Sequence, residues 1–408
     1  MSPHINPYIK PHINRPLYID RSRPFLAKNL IKIFTGQRRT GKSYMLFQIM
    51  ELVETLHPGS HIIYIDKDIH DFDFIRNDKD LLEYVEKNCR PKEMNFLFID
   101  EVQEIEQFEK ALRSLLVTGN MDIWCTGSNS SMLSGDLATV LSGRYIEIRI
   151  HGLSFSEFLI FHKIKDTAEN LGKYLKYGGL PNLMVFPLTD QVVFDYLKTI
   201  NATVLLKDVV ARYNIRNVNF LENLIRFLAD STGSLISTKR ISDYLKSQRV
   251  AISPVIIANY LSYLASAYYI TRVPRSDLQG KKIFETSEKY YFEDLGLRNA
   301  IIGYKAQDIN KLIENSVFQH MIRMGFNVYV GKTGDKEIDF VCERQGEKIY
   351  IQCAYLLFDD HTIEREFGNL LLIKDNYPKF VVTMDDFKGN TNQGIIHSNL
   401  REFLQMNH

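Results

Sequence analysis

The run Gly36-Gln37-Arg38-Arg39-Thr40-Gly41-Lys42-Ser43 constrains this chain more than any other stretch. It lies between the short apolar segment Ile31–Thr35 and an amphipathic segment over 41–56 that ends at Pro58-Gly59. Glycines let such a loop turn tightly enough for its N–H groups, with the start of the following helix, to surround the β- and γ-phosphates of a nucleotide. In this pattern Lys42 supplies a mobile positive charge and Ser43 a hydroxyl for Mg²⁺. A plain glycine-rich turn ahead of an ordinary helix would explain the glycines alone. The loop therefore predicts strand, turn and helix in succession, which is the opening of an open α/β sheet.

Further strands follow in the order such a sheet needs. HIIYID over 61–66 and NFLFID over 95–100 are continuous apolar runs, as expected of strands covered on both faces. IWCTGSN over 123–129 reads as strand into loop, and 145–150 as another strand. Strands alternating with helices around a phosphate loop predict a mostly parallel sheet with helices on both sides.

The second apolar run ends on two carboxylates. Asp100 is placed to hold the water shell of Mg²⁺, and Glu101 to orient and deprotonate a water attacking the γ-phosphate. Acidic loops also end many strands, so the pair gains its meaning from the phosphate loop. Asn129 is a candidate polar sensor of the γ-phosphate or the attacking water, with a turn or capping asparagine as its rival. Arg144, in LSGR, is a candidate for neutralising transition-state charge in the same or a neighbouring subunit; a surface salt bridge is the other reading.

Beyond this core the rhythm changes. Residues 1–16 hold four prolines and read as an extended arm, and 17–152 as the nucleotide-binding core. Residues 153–216 are helical, broken at Gly178-Gly179-Leu180-Pro181, and form a lid or linker. Residues 217–304 read as three helices with a wing made by 269–273 and 289–292, an arrangement like that of winged-helix domains. Between 231 and 282 eight Lys or Arg face two Asp, a local excess of six positive charges that suits phosphate contact. Winged helices also dock proteins, so DNA and a partner protein both stay open. Residues 305–408 read as a separate α/β domain with a helix over 308–325, strands at 327–330, 337–343 and 348–353, and further sheet segments at 369–372 and 379–382.

Composition sets outer limits. With 408 residues, 45% of them apolar, the chain suits several domains of a globular protein, and its formal charge of +1 carries no global nucleic-acid signal. Cysteines 89, 125, 342 and 353 fit neither a zinc pattern nor a disulfide framework. No apolar run reaches membrane-spanning length, and a cytoplasmic protein without membrane insertion is expected.

Taken together, the loop over 36–43, LFIDEVQ over 97–103, TGSNS over 126–130, LSGRYIEI over 141–148, LSFSEFL over 153–159 and YGGLP over 177–181 resemble the prokaryotic AAA-type ATPases fused to a C-terminal domain of uncertain function. These lie near the initiator and signal-transducing branches of AAA-related ATPases. The resemblance implies a P-loop NTPase with a helical lid, a winged-helix domain and a degenerate restriction-endonuclease-like α/β domain. It implies ATP and Mg²⁺ as cofactors, Lys42 and Ser43 as phosphate and metal residues, Asp100 and Glu101 as the acidic motif, Asn129 as sensor and Arg144 as finger. Pro181 falls in a turn similar to one that packs beside adenine. In the C-terminal domain Glu314, Asp339 and Gln352 fall where a metal-holding set would lie, while Ala354 stands at the position of a water-activating lysine. The expected activity is ATP hydrolysis coupled to contacts with DNA, a partner protein or a second copy. A nucleotide-gated docking protein with little turnover and a nuclease-linked ATPase are the alternatives.

Overall fold

Five strands, β1 (Ile31–Thr35), β2 (His61–Asp66), β3 (Asn95–Asp100), β4 (Met121–Gly127) and β5 (Tyr145–Arg149), make one fully parallel sheet in the order β2-β3-β4-β1-β5. The computed structural model describes residues 12–91, 93–130, 141, 143–277, 287–357, 360–386 and 391–406. Within it the chain divides into two compact units, Met1–His151 with Ser266–Tyr268, and Gly152–Ala265 with Tyr269–His408.

In the first unit, alternation along the strands explains the continuous apolar runs. Ile33, Ile65, Leu97, Ile99, Ile123 and Cys125 pack on one face against helices α3 (Asp78–Asn88) and α4 (Phe108–Val117). Phe34, Tyr64, Phe96, Phe98 and Trp124 pack on the other against α1 (Pro16–Ser22) and α2 (Lys42–Leu56). Neither face is left to water, so neither needs polar residues. A charged pair is nevertheless buried within the strands. Lys32 is fully buried, paired with Asp122 of β4, and donates to the carbonyls of Lys28 at 2.9 Å and Leu30 at 2.8 Å. Burial lowers its pKa against the pull of Asp122, which also accepts the N–H of Ala27 at 2.8 Å.

The second unit begins with helix α5 (Phe155–His162), started by a reciprocal capping box between Ser154 and Glu157. Helices α6 (Ala168–Tyr177) and α7 (Asp190–Thr203) follow, and α7 continues into wider π turns over Val204–Ala211. Next come α8 (Val218–Asp230), α9 (Thr238–Ser247) and α10 (Pro254–Ser266). Strands β6 (Ile270–Val273) and β8 (Lys289–Phe292) pair antiparallel, from Ile270 opposite Phe292 to Val273 opposite Lys289. Ile236 adds a single bridge to Glu288.

After α11 (Leu295–Ile302) and α12 (Ile309–Arg323) the chain builds a mixed sheet in the order β13-β14-β12-β11-β10-β9-β7. Its strands are β7 (Arg275–Asp277), β9 (Asn327–Thr333), β10 (Lys336–Arg344), β11 (Glu347–Cys353), β12 (Lys379–Thr383), β13 (Thr391–Asn392) and β14 (Ile395–Asn399). Sequence pattern places a sheet segment at 369–372, but 369–371 are the end of helix α13 (Asp360–Leu371). An apolar run this short fits either element. Spacing decides it, because Ile363, Phe367 and Leu370 recur at helical intervals and join the core of this sheet.

Candidate active site

The phosphate loop leaves the carboxyl end of β1 and enters α2. Gly36 has φ of +138°, and a Cβ there would stand 2.1 Å from the carbonyl oxygen of Ile150, so the strand exit tolerates only glycine. Lys42 is buried, with Nζ 3.1 Å from the carbonyl oxygens of both Gly36 and Gln37. Its ammonium thus lies against the loop's own backbone. Thr40 closes the turn through its hydroxyl, 2.9 Å from the Gln37 carbonyl.

The parallel order puts β3 and β4 beside β1, so their carboxyl ends converge on the loop. The Ser43 hydroxyl donates to Asp100, joining the two residues expected to hold Mg²⁺. Burial pushes the Asp100 carboxyl up to about 6, opposed by hydrogen bonds from Ser43 and from Thr126 of β4. Glu101 shows the opposite balance. It is also buried, yet Lys42, Gln103 and Arg38 outweigh that burial and hold its carboxyl below the usual range. Its backbone takes φ of 52°, a left-handed conformation unusual for a non-glycine residue, and its N–H donates to the Thr126 hydroxyl at 2.8 Å. Asn129 is fully buried two residues beyond β4, at the same end of the sheet.

Arg144 is elsewhere. It precedes β5, and its carbonyl accepts the N–H of Ile31 at 2.9 Å, at the amino end of β1. The five residues of β1 span about 13 Å at ~3.3 Å per residue. Arg144 therefore starts from the end of the sheet opposite the phosphate loop.

A second arginine, missed in the sequence, supports the loop instead. Arg15 is buried and donates from Nη1 to the carbonyls of Thr40 at 3.1 Å and His151 at 3.0 Å, while its backbone N–H meets Gln48 of α2 at 2.9 Å. The proline-rich surroundings gave no signal of it, because the contact is made over 25 residues of chain.

The remaining sequence candidates belong to the second unit. Pro181 opens a short 3₁₀ turn, and the preceding Gly179 exchanges its carbonyl with the N–H of Leu153 at 2.6 Å and its N–H with Asp294 at 2.7 Å. Asp294 also caps α11 through the N–H of Leu297 at 2.9 Å, and complete burial pushes its carboxyl up to about 6. Glu314 (α12), Asp339 (β10) and Gln352 (β11) do come together: the Asp339 N–H donates to Gln352 at 3.2 Å, and the Cys353 N–H to Asp339 at 2.9 Å. Asp339 sits where β10 shifts register against β9, between Ile338 and Val341.

That cluster also holds Lys289, which sequence reading assigned only to a wing strand. Its Nζ lies 2.7 Å from Glu314, 2.9 Å from Glu337 and 3.2 Å from Asp339. The three carboxylates keep the ammonium charged well above the ordinary lysine range despite its burial. The Tyr291 hydroxyl donates to Glu314 at 2.5 Å, and burial raises that carboxyl.

A family model described as an AAA domain matches residues 28–159, and a domain of unknown function matches 168–308. An uncharacterized protein of Haemophilus influenzae is 35% identical over 92% of this chain and 94% of its own length. The chain belongs to the same family. The uncharacterized protein MJ1544 of Methanocaldococcus jannaschii, 31% identical over 87% of this chain and 80% of its own, is a further relative. Among solved structures, Aeropyrum pernix ORC1 in complex with DNA overlaps 72% of this chain and 93% of its own, at 12% identity and a TM-score of 0.32. The family thus carries an AAA-type ATPase domain with a P-loop and a parallel sheet. Among the described residues no helix is long and apolar enough to cross a membrane.

Proposed function

We propose that the protein binds ATP with Mg²⁺ at Gly36–Ser43 and hydrolyses it to ADP and phosphate, using the cycle to change its contacts with a partner macromolecule. The observation that carries this reading is the convergence of Lys42, Ser43, Asp100 and Glu101 at one end of the sheet. The residues fit the cofactor: Gly36 has no room for a side chain, the Lys42 ammonium lies against the Gly36 and Gln37 carbonyls of the loop, and a hydroxyl and a carboxylate already touch where a hard cation takes oxygen ligands. When bound, Mg²⁺ offsets phosphate charge and polarises the bond that breaks.

The chain's own groups do the rest. Backbone N–H groups of the loop and the first turn of α2 hold phosphate oxygens, and Lys42 swings from the Gly36 and Gln37 carbonyls to the same charge. Ser43 and Asp100 are the residues that would hold Mg²⁺. Glu101, kept ionised by Lys42 and Arg38, accepts the proton of the attacking water, and Asn129 orients that water or the γ-phosphate. Arg144 acts on the site of a second copy. Phosphate release by the wild type, against Lys42→Ala and Glu101→Gln, tests the proposal; a wild type inert with Mg²⁺ across salt conditions and with DNA present would refute it.

The helices α8 to α10 with the β6–β8 pair support a winged-helix assignment for 217–304, and the sheet beyond supports a nuclease-like fold for 305–408 in which cleavage is lost. A partner protein is favoured over DNA by one observation. The outward residues of α10 are Val255, Ile256, Ala258, Asn259 and Ser262, with Val255 at 69% exposure and no cation among them. Helices that meet phosphate carry Lys or Arg. Charge reversal at Lys239, Arg240 and Arg249 separates the two: on this reading it leaves partner binding in place.

A further inference from the structure

We infer that the Lys289 ammonium is the resident cation of the carboxylate cluster in the C-terminal sheet, occupying the position a divalent metal would need. Four segments converge there. Lys289 comes from β8, Glu314 from α12, Glu337 and Asp339 from β10, and Gln352 from β11. The Nζ atom contacts three carboxylates at 2.7, 2.9 and 3.2 Å. A divalent ion bound to the same oxygens would sit at about 2.0–2.6 Å from each, which places it within a few tenths of an ångström to an ångström of the nitrogen. The two cations exclude one another by volume and by charge.

The ammonium is not a passing visitor from solvent. The Lys289 side chain is 3% exposed, and Glu314 and Asp339 are 16% and 12% exposed. Its withdrawal would strand a buried charge on each side, the arrangement in which removal of one partner is most costly. Asp339 is fixed as well, by the Cys353 N–H on one oxygen and Lys289 on the other. The cluster therefore acts as an ionic clamp between the β6–β8 pair and the C-terminal sheet. This inference stands apart from the ATPase reading, since it uses none of the phosphate-loop residues.

Mn²⁺ is the probe, added to nucleotide-free, metal-stripped, full-length protein and followed by electron paramagnetic resonance and by thermal melting. Lys289→Met is expected to melt below wild type, to gain a Mn²⁺ site at least about tenfold tighter than any in wild type, and to regain melting temperature with Mn²⁺. Lys289→Met combined with Asp339→Asn is expected to lose that site again. Wild type and Asp339→Asn alone are expected to bind Mn²⁺ identically, a comparison that holds even where Lys289→Met does not fold. Mn²⁺ binding by wild type that disappears in Asp339→Asn would overturn the inference, as would a folded Lys289→Met that gains no site.

Discussion

Glu101 carries the left-handed backbone that a glycine would adopt freely, and it does so between a buried Asp100 and a loop lysine. That setting separates two adjacent carboxylates electrostatically, one raised by burial and one held low by neighbouring cations. On the proposed role of Glu101 as base, Glu101→Gln keeps the shape but not the proton acceptor, and is expected to slow ATP hydrolysis by about 10²–10⁴-fold while nucleotide binding persists, checked by phosphate release against fluorescent-nucleotide titration. Lys42→Ala is expected to lose about 10²–10³-fold in turnover and to weaken binding in the same titration. Arg15→Ala tests a residue far from the chemistry in sequence: with the carbonyls of Thr40 and His151 released, nucleotide affinity is expected to fall by about tenfold, near the ~1.5–3 kcal/mol span of a charge-assisted hydrogen bond. That Lys42, Ser43, Asp100 and Glu101 come together was legible in the sequence because each lies in a contiguous motif at the end of a strand. Arg15 and Lys289 were not, because each acts on groups that only the folded chain brings near.

At the level of elements, the first sheet was legible for a physical reason. A strand buried on both faces has to be apolar throughout, and HIIYID and NFLFID announce that directly. The exception is IKIFT, whose second residue, Lys32, suggests a watery face that does not exist. Lys32 is buried because Asp122 and two carbonyls satisfy its donors, so the cost of burying the charge is offset locally. Asp122→Ala removes that partner and is expected to destabilise the first unit by about 3–5 kcal/mol. Trp124, the chain's single tryptophan, lies fully buried in that unit, and its fluorescence during denaturant unfolding reads the change without contribution from elsewhere. Helix α13 was harder to read, since a short apolar run such as NLLLI carries both periods and only its buried partners choose between them.

Across each unit as a whole, buried carboxylates set how stability responds to pH. Asp294 holds both the Gly179 turn and the start of α11, with a folded-state pKa of about 6 against an ordinary 3.8. A raised carboxyl binds its proton more readily folded than unfolded, so the strain of its charge is present above about 6 and is relieved as pH falls toward 3.8. The stability of wild type relative to Asp294→Asn is expected to rise as pH is lowered through that window, in paired thermal melts. The C-terminal sheet has a further property that its strand order fixes. Its outer strand β7 comes from residues 275–277 and pairs with β9 in parallel, ahead of the point at 305 where sequence pattern alone begins a new domain. A fragment cut at 305 would therefore expose the hydrogen-bonding edge of β9 and leave Glu314, Glu337 and Asp339 without their ammonium. Such a fragment is expected to self-associate, whereas one beginning before β6 keeps its edge covered and its charges matched.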